Sequence, residues 1–270
     1  MFIGFITDCA DADAALRLRL QGNVLFGGTP FLSQARCEIE AAGLLIDALD
    51  VTAGSKGIIF VNVAPRNGEA KKKWDNGVPF GYFRVRKTLV VTTIGPETLS
   101  LVAKLGLATR VNVMDISRVM SWGVEQNLIS KIEADEVRRT QFRSLFFAPR
   151  SGKWIWASDR STIPASDESI DALVAGVQGK HFVWFVDCFG NVKTTLLSSE
   201  FESLRSSGKH RRGILRYKAL PRLSDVPDDG KPAWVVGSSG YGTNRFMELV
   251  VQGGSAAKKL RLKVGMPIQV

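Results

Sequence analysis

Residues 2–137 alternate short apolar runs with segments of helical spacing, and this alternation constrains the fold more than any single motif. Residues 2–6 form an apolar run closed by Thr7 and Asp8, residues 57–63 and 89–94 are β-branched runs, and residues 110–116 alternate as a strand does. Asp11 and Asp13 precede a helical stretch at 14–20, where acids suit the positive end of a helix. Residues 38–49 place Ile39, Ala42, Leu45, Ile46 and Leu49 on one stripe, which predicts an amphipathic helix. Further helices are expected at 98–105, just after Pro96, and at 124–137. Strand and helix in turn predict a three-layer α/β domain, in which ligands gather at the carboxyl ends of strands and therefore near Asp8. Residues 71–81, with Asn76-Gly77 and Pro79, read as an exposed loop or hairpin.

The pattern changes after residues 158–169, a Ser-, Asp-, Thr- and Pro-containing stretch taken as the boundary between domains at 1–165 and 166–270. Beyond it come short strands at 182–186, 192–197, 213–217, 233–236 and 247–251 with few convincing helices, the pattern of a small β-barrel or sandwich. The first two flank the most informative stretch of this half. Phe182, Val183, Trp184, Phe185 and Val186 read as a strand, Asp187 ends it, Gly190 and Asn191 supply turn chemistry, and an extended pattern resumes at Val192. A carboxylate, an aromatic ring and a carboxamide thus meet at one corner, as either a simple hairpin or a nucleoside pocket requires.

Composition narrows the function classes. The chain has 36 Lys and Arg against 26 Asp and Glu, a net charge of +10, so anionic partners are favoured. The basic runs Lys71-Lys72-Lys73 and Lys209-His210-Arg211-Arg212 come with no helix-turn-helix, zinc-finger or RNA-recognition signature, and nucleic acid is not the expected partner. Three widely spaced cysteines, Cys9, Cys37 and Cys188, fit neither a disulfide framework nor a zinc ribbon. Only His181 and His210 are present, which excludes a metal site built on several histidines. No apolar run approaches the roughly 20 residues that cross a bilayer, and no basic n-region opens the chain, so a cytoplasmic protein without membrane attachment or cofactor is expected.

Three motifs in order carry a family resemblance. Thr7-Asp8 with Asp13 resembles an opening Thr-Asp-Phe-Gly-x-x-Asp, and residues 187–194 resemble Asp-x-Phe-Gly-Asn-x-x-Thr. The tail from Glu248 through Gly253-Gly254-Ser255-Ala256-Ala257 to Gly265 is similar to a Leu-Glu-Ile-Ala-Val-Asn-x-Gly-Ser-Ala-Ala stretch followed by Leu-x-Val-Gly. All three resemble the S-adenosylmethionine hydroxide adenosyltransferase family, relatives of the fluorinase and chlorinase enzymes. The resemblance implies a Rossmann-like three-layer N-terminal domain, a small C-terminal β-barrel and a homotrimer with ligands held between subunits. It implies that Asp8 binds the ribose hydroxyls, that Phe189 and Asn191 line the adenine side, and that Asp187 binds the methionine ammonium or orients the corner. Ser239, in Ser238-Ser239-Gly240-Tyr241, resembles the serine of the family's Asn-Ser-x-Gly-Tyr, with residues 242–246 as an apparent insertion.

The implied reaction is substitution at ribose C5′ of S-adenosylmethionine by water or halide, giving adenosine or a 5′-substituted nucleoside plus methionine. Water attack needs a positioned nucleophile and partial proton removal. The family associates Asp, Arg and His with that water, and this chain departs at all three. Ala64 stands at the acid position, Lys71 near the arginine position and Phe142 at the histidine position. Lys71, Arg143 and Ser144 are the remaining catalytic candidates; the alternative is a non-catalytic binder of S-adenosylmethionine, adenosine or a related nucleotide.

Overall fold

A computed structural model describes residues 1–52, 54–64, 78–139, 143–157, 163–208 and 213–269. They fall into two compact units, one of Met1–Ala41 with Thr52–Gly176, the other of Ala42–Val51 with Val177–Val270. Both are built on a sheet.

The first unit holds a seven-stranded mixed sheet. Strands β1 (Phe2–Thr7), β2 (Phe31–Gln34), β3 (Gly57–Asn62) and β5 (Thr88–Thr93) run parallel, while β4 (Phe80–Val85), β6 (Arg110–Met114) and β7 (Ala165–Ser169) add an antiparallel flank, in the order β2-β1-β3-β5-β4-β6-β7. The central parallel strands β1, β3 and β5 are largely buried because both sheet faces are covered there, and Ile3, Phe5, Ile58, Phe60, Leu89 and Val91 join the unit's core. Phe5 and Phe60 stack at 5.0 Å.

Helix α1 (Ala12–Phe26) starts where Asp11 Oδ1 accepts from Ala14 N at 3.1 Å and ends at Gly27 with φ 70°. Helices α2 (Glu38–Val51) and α3 (Pro96–Lys104) follow, and then the structure departs from expectation. The single helix read at 124–137 is two, α4 (Ile116–Glu125) and α5 (Lys131–Arg139). Asn127, at φ 56°, turns the chain out of α4, and Ser130 and Glu133 form a reciprocal cap that starts α5. The strand β4 was hidden because its turn into β5 is made by Arg86 at φ 53° and Lys87, without the Asn-Gly signal of a tight hairpin. Helix α6 (Arg143–Ala157) carries Pro149 within it, and β7 lies inside the stretch read as a boundary.

The second unit holds a six-stranded sheet in the order β10-β11-β12-β9-β8-β13. Its strands are β8 (His181–Val186), β9 (Val192–Leu197), β10 (Lys218–Leu220), β11 (Ala233–Tyr241), β12 (Asn244–Val250) and β13 (Pro267–Ile268). Three short helices, α7 (Ile170–Val174) in the first unit and α8 (Ser198–Ser206) and α9 (Ala256–Leu260) in the second, complete the set among the described residues. The strand expected at 213–217 is instead a 3₁₀ turn, Gly213–Arg216, that buries Leu215. Gly242 and Thr243 are the turn of the β11–β12 hairpin, where Tyr241 pairs with Asn244, and residues 244–246 open β12. Val183, Leu196, Phe201, Trp234 and Leu249 make the core, with Phe201 and Trp234 rings 5.3 Å apart. Among the described residues no helix is long and apolar enough to cross a membrane.

Candidate functional site

The corner between β8 and β9 is organised by one carboxylate. Asp187 Oδ1 accepts from the backbone N–H of Phe189 and of Asn191, each at 2.9 Å, and its Oδ2 accepts from Asn191 Nδ2 at 2.9 Å. The backbone closes the same turn, with Asp187 N donating to Asn191 O at 3.1 Å and Gly190 N to Asp187 O at 3.0 Å. The carboxylate is therefore the turn's internal acceptor. Phe189 is thrown outward, 75% exposed, beside the ordered Asn191 amide.

Gly190 is required at this corner. It sits at φ 84°, and a Cβ there would lie 2.1 Å from Ser255 Oγ. Its carbonyl accepts from Ala257 N at 3.0 Å, while Ser255 Oγ caps α9 by accepting from Lys258 N at 3.1 Å. Two motifs far apart in the chain, residues 187–191 and 254–257, thus meet at one place.

Ser239 is buried behind the corner. Its hydroxyl accepts from Lys193 Nζ at 2.7 Å and donates to Asp47 Oδ2 at 2.9 Å, and Asp47 Oδ1 accepts from Gly240 N at 3.1 Å. Lys193 Nζ also lies 3.7 Å from Glu248 Oε1 and 5.6 Å from the Trp184 ring centroid. Burial pushes the Asp47 and Glu248 carboxyls above their usual range, against the opposing pull of Lys193.

In the first unit, Asp8 stands just past the end of β1, as expected. Its Oδ2 accepts from Ala64 N at 3.2 Å, and its Oδ1 accepts from the Cys9 thiol at 3.5 Å. Ala64, at the family's acid position, offers only a methyl group and an N–H already engaged. Arg143 and Ser144 open α6, with side chains outside the described residues, and Lys71 and Phe142 lie outside them altogether. Cys9, Cys37 and Cys188 form no disulfide with one another.

A group that sequence reading missed lies at the carboxyl ends of the same strands. Glu38, at the start of α2, accepts from Thr98 Oγ1 at 3.3 Å and fits there because position 95 is glycine: a Cβ would lie 1.5 Å from Glu38 Oε1. Burial and then the neighbouring Glu97 push its carboxyl up to about 7, against the Thr98 bond. An acid raised in the folded state loses stability as pH climbs from its unfolded value towards its folded one, here from 4.5 to about 7. Glu38→Gln is therefore expected to raise stability at pH 8 by about 2 kcal/mol, after allowance for partial solvent screening, and to leave it unchanged at pH 4. Urea unfolding at the two pH values checks this, and an equal effect at both would contradict it.

Glu38 gave no sequence signal, since an acid in the first turn of a helix is ordinary. Asp47 did give one. Gly43, Asp47 and Asp50 recur at i, i+4 and i+7 as a second, small-and-acidic stripe on a helix already amphipathic, and Asp50 accepts from Gly242 N and Arg245 Nη1, each at 2.8 Å.

The family profile described as SAM hydroxide adenosyltransferase C-terminal domain matches residues 181–269, the part that holds the corner, Ser239 and the α9 cap. An uncharacterized conserved protein from Thermotoga maritima has a crystal structure similar to this chain with a TM-score of 0.67 at 17% identity, over 99% of this chain and 98% of that one. A conserved hypothetical protein from Thermus thermophilus is similar with a TM-score of 0.59 at 16% identity, over 99% and 98%. No curated protein matches by sequence. Residues 181–269 are thus similar to the SAM hydroxide adenosyltransferase C-terminal domain, and the chain shares a two-domain α/β fold along its length with solved structures.

Proposed function

We propose that this chain binds the adenosyl group of S-adenosylmethionine or adenosine and, with a methyl at the family's acid position, does so without efficient cleavage. The observation that carries this reading is the corner itself: an ordered Asn191 amide and an exposed Phe189 ring, held by a carboxylate that the turn consumes. A ring face for stacking and an amide for an adenine edge are the two elements nucleobase recognition needs. Asp8 supplies acceptor oxygens for ribose hydroxyls. The assembly that accompanies this reading is a homotrimer, to be checked by light scattering.

Cleavage at C5′ is the second reading, and Glu38 favours it. A carboxyl raised to about 7, at the edge where α/β sheets bind ligands, is able to take a proton at neutral pH.

Calorimetry with S-adenosylmethionine and adenosine, paired with product analysis at high protein concentration, separates the readings. Binding is expected, weakened about tenfold by Asn191→Ala or Phe189→Ala, with no adenosine formed. Adenosine formation that Glu38→Gln abolishes establishes the second reading instead. The absence of any binding overturns both.

A further inference from the structure

Lys193 and Glu248 sit opposite each other in register on neighbouring strands, β9 and β12, directly behind the corner. Lys193 follows Asn191 by two residues. Its ammonium is the cation shared by two acids, reaching Asp47 through Ser239 (2.7 Å and then 2.9 Å) and standing 3.7 Å from Glu248. Glu248 is buried, and its Oε1 has no hydrogen-bond partner among the described residues. That oxygen is packed against the backbone of β11, where a Cβ on Gly237 would lie 2.3 Å away.

The charges around Glu248 do not balance without a proton. From α2 come Asp47 and Asp50, and Asp50 is paired with Arg245 of β12 itself at 2.8 Å. From the β8–β9 corner comes Asp187, and from β9 Lys193. Those that act on Glu248 are Lys193, Asp187 and Asp47: three carboxylates, Glu248 included, around one ammonium. A buried carboxylate oxygen with a distant ammonium and no hydrogen bond is costly, and a proton is the least demanding way to remove that cost.

We propose that Lys193 is a positioning residue for the adenine-binding corner and that Glu248 is the proton-dependent switch that sets where its ammonium rests. With Glu248 protonated, the ammonium is committed to Ser239 and fixes β9 behind Asn191. Loss of the Glu248 proton to solvent leaves an anion 3.7 Å from Lys193 Nζ. The ammonium is drawn towards it, Ser239 is left to Asp47, and the strand carrying Asn191 loses its brace. The direction of the Glu248 shift, upward through burial against the pull of Lys193 and with the two nearby acids, agrees with a proton held above the usual carboxylate range. The effect on ligand affinity rests on the proposed adenosyl-binding role; the movement of Lys193 does not.

The experiment has two arms. Carbon-13 NMR of glutamate side chains, with Glu248 assigned by its loss in Glu248→Gln, follows the switch without ligand, and the Asn191 backbone amide reports the corner. Glu248 is expected to titrate above the exposed glutamates, and the Asn191 amide to shift with the same midpoint in the parent and not in Glu248→Gln. Calorimetry with adenosine is expected to give about fivefold tighter binding below the Glu248 midpoint found by NMR than above it in the parent. Glu248→Gln should bind tightly on both sides of that midpoint, Lys193→Met weakly on both, and Lys193→Arg should recover the low-pH affinity in part. Titration of Glu248 in the ordinary range, or an Asn191 amide indifferent to it, overturns the switch. If adenosine does not bind at any pH, the proposed function falls while the NMR arm still decides the switch.

Discussion

Gly43→Ala is expected to destabilise the protein by about 3 kcal/mol, although glycine to alanine inside a helix ordinarily stabilises by about 1 kcal/mol. The reversal comes from Trp184. A Cβ at position 43 would lie 2.1 Å from Cε3, 2.3 Å from Cδ2 and 2.7 Å from Cζ3 of that ring, where real contacts are far longer. Neither side has room to give. Trp184 is among the largest fully buried side chains and is flanked by Phe185 and Phe246, with ring centroids at 5.5 and 6.4 Å. The second unit depends on this approach, because Asp47 and Asp50 lie on the same helix stripe and make their bonds only if that stripe stays close. Thermal unfolding followed by near-ultraviolet circular dichroism should show a melting temperature about 10 °C lower. Gly176→Ala, where a Cβ meets nothing within 4 Å, serves as the control and should leave it unchanged. A Gly43→Ala protein as stable as its parent would mean that the helix does not pack on Trp184 as described.

The same helix illustrates what sequence can and cannot disclose. Its apolar stripe, Ile39, Ala42, Leu45, Ile46 and Leu49, is legible because 3.6-residue periodicity follows directly from burial. Its second stripe is written in glycine and aspartate, residues that in a single sequence read as flexibility and solvent exposure. The parallel strands were legible for the reason α2 was: β1, β3 and β5 are buried along their length and read as continuous apolar runs. Strand β7 was not, since its burial pattern is almost wholly exposed and its sequence, Ala-Ser-Asp-Glu-Ser, carries no apolar face. It exists through backbone pairing with β6 and the Arg110–Asp167 ion pair at 2.8 Å. At the site, the motif located the corner, but only geometry told which of its polar groups face outward. Asp187 reads in sequence as either an ammonium contact or the residue that orients the corner, and in structure it is the turn's acceptor. Ser239 reads as a contact and is engaged on both sides by Lys193 and Asp47.

Two substitutions at Asp187 therefore separate folding from recognition. Asp187→Ala removes the acceptor of three hydrogen bonds at once, orphans the N–H groups of Phe189 and Asn191, and frees the Asn191 side chain to rotate. A loss of about 2 kcal/mol in stability and of more than about 100-fold in adenosyl-ligand affinity is expected, the latter because both recognition elements lose their fixed direction. Asp187→Asn keeps an Oδ1 for the two backbone donors, so the turn should survive with a stability change below about 1 kcal/mol. Its new Nδ2 faces Asn191 Nδ2, however, and two amide donors cannot bond each other. The Asn191 amide must flip to offer its oxygen inward, which reverses the donor and acceptor it presents outward. An adenine edge read by the parent then meets the wrong pattern, and affinity for adenosine should fall about tenfold in a protein that unfolds normally. Calorimetry alongside urea unfolding reads the two effects independently. Wild-type affinity in Asp187→Asn would place adenine recognition away from Asn191, and with it the claim that this corner reads a nucleoside.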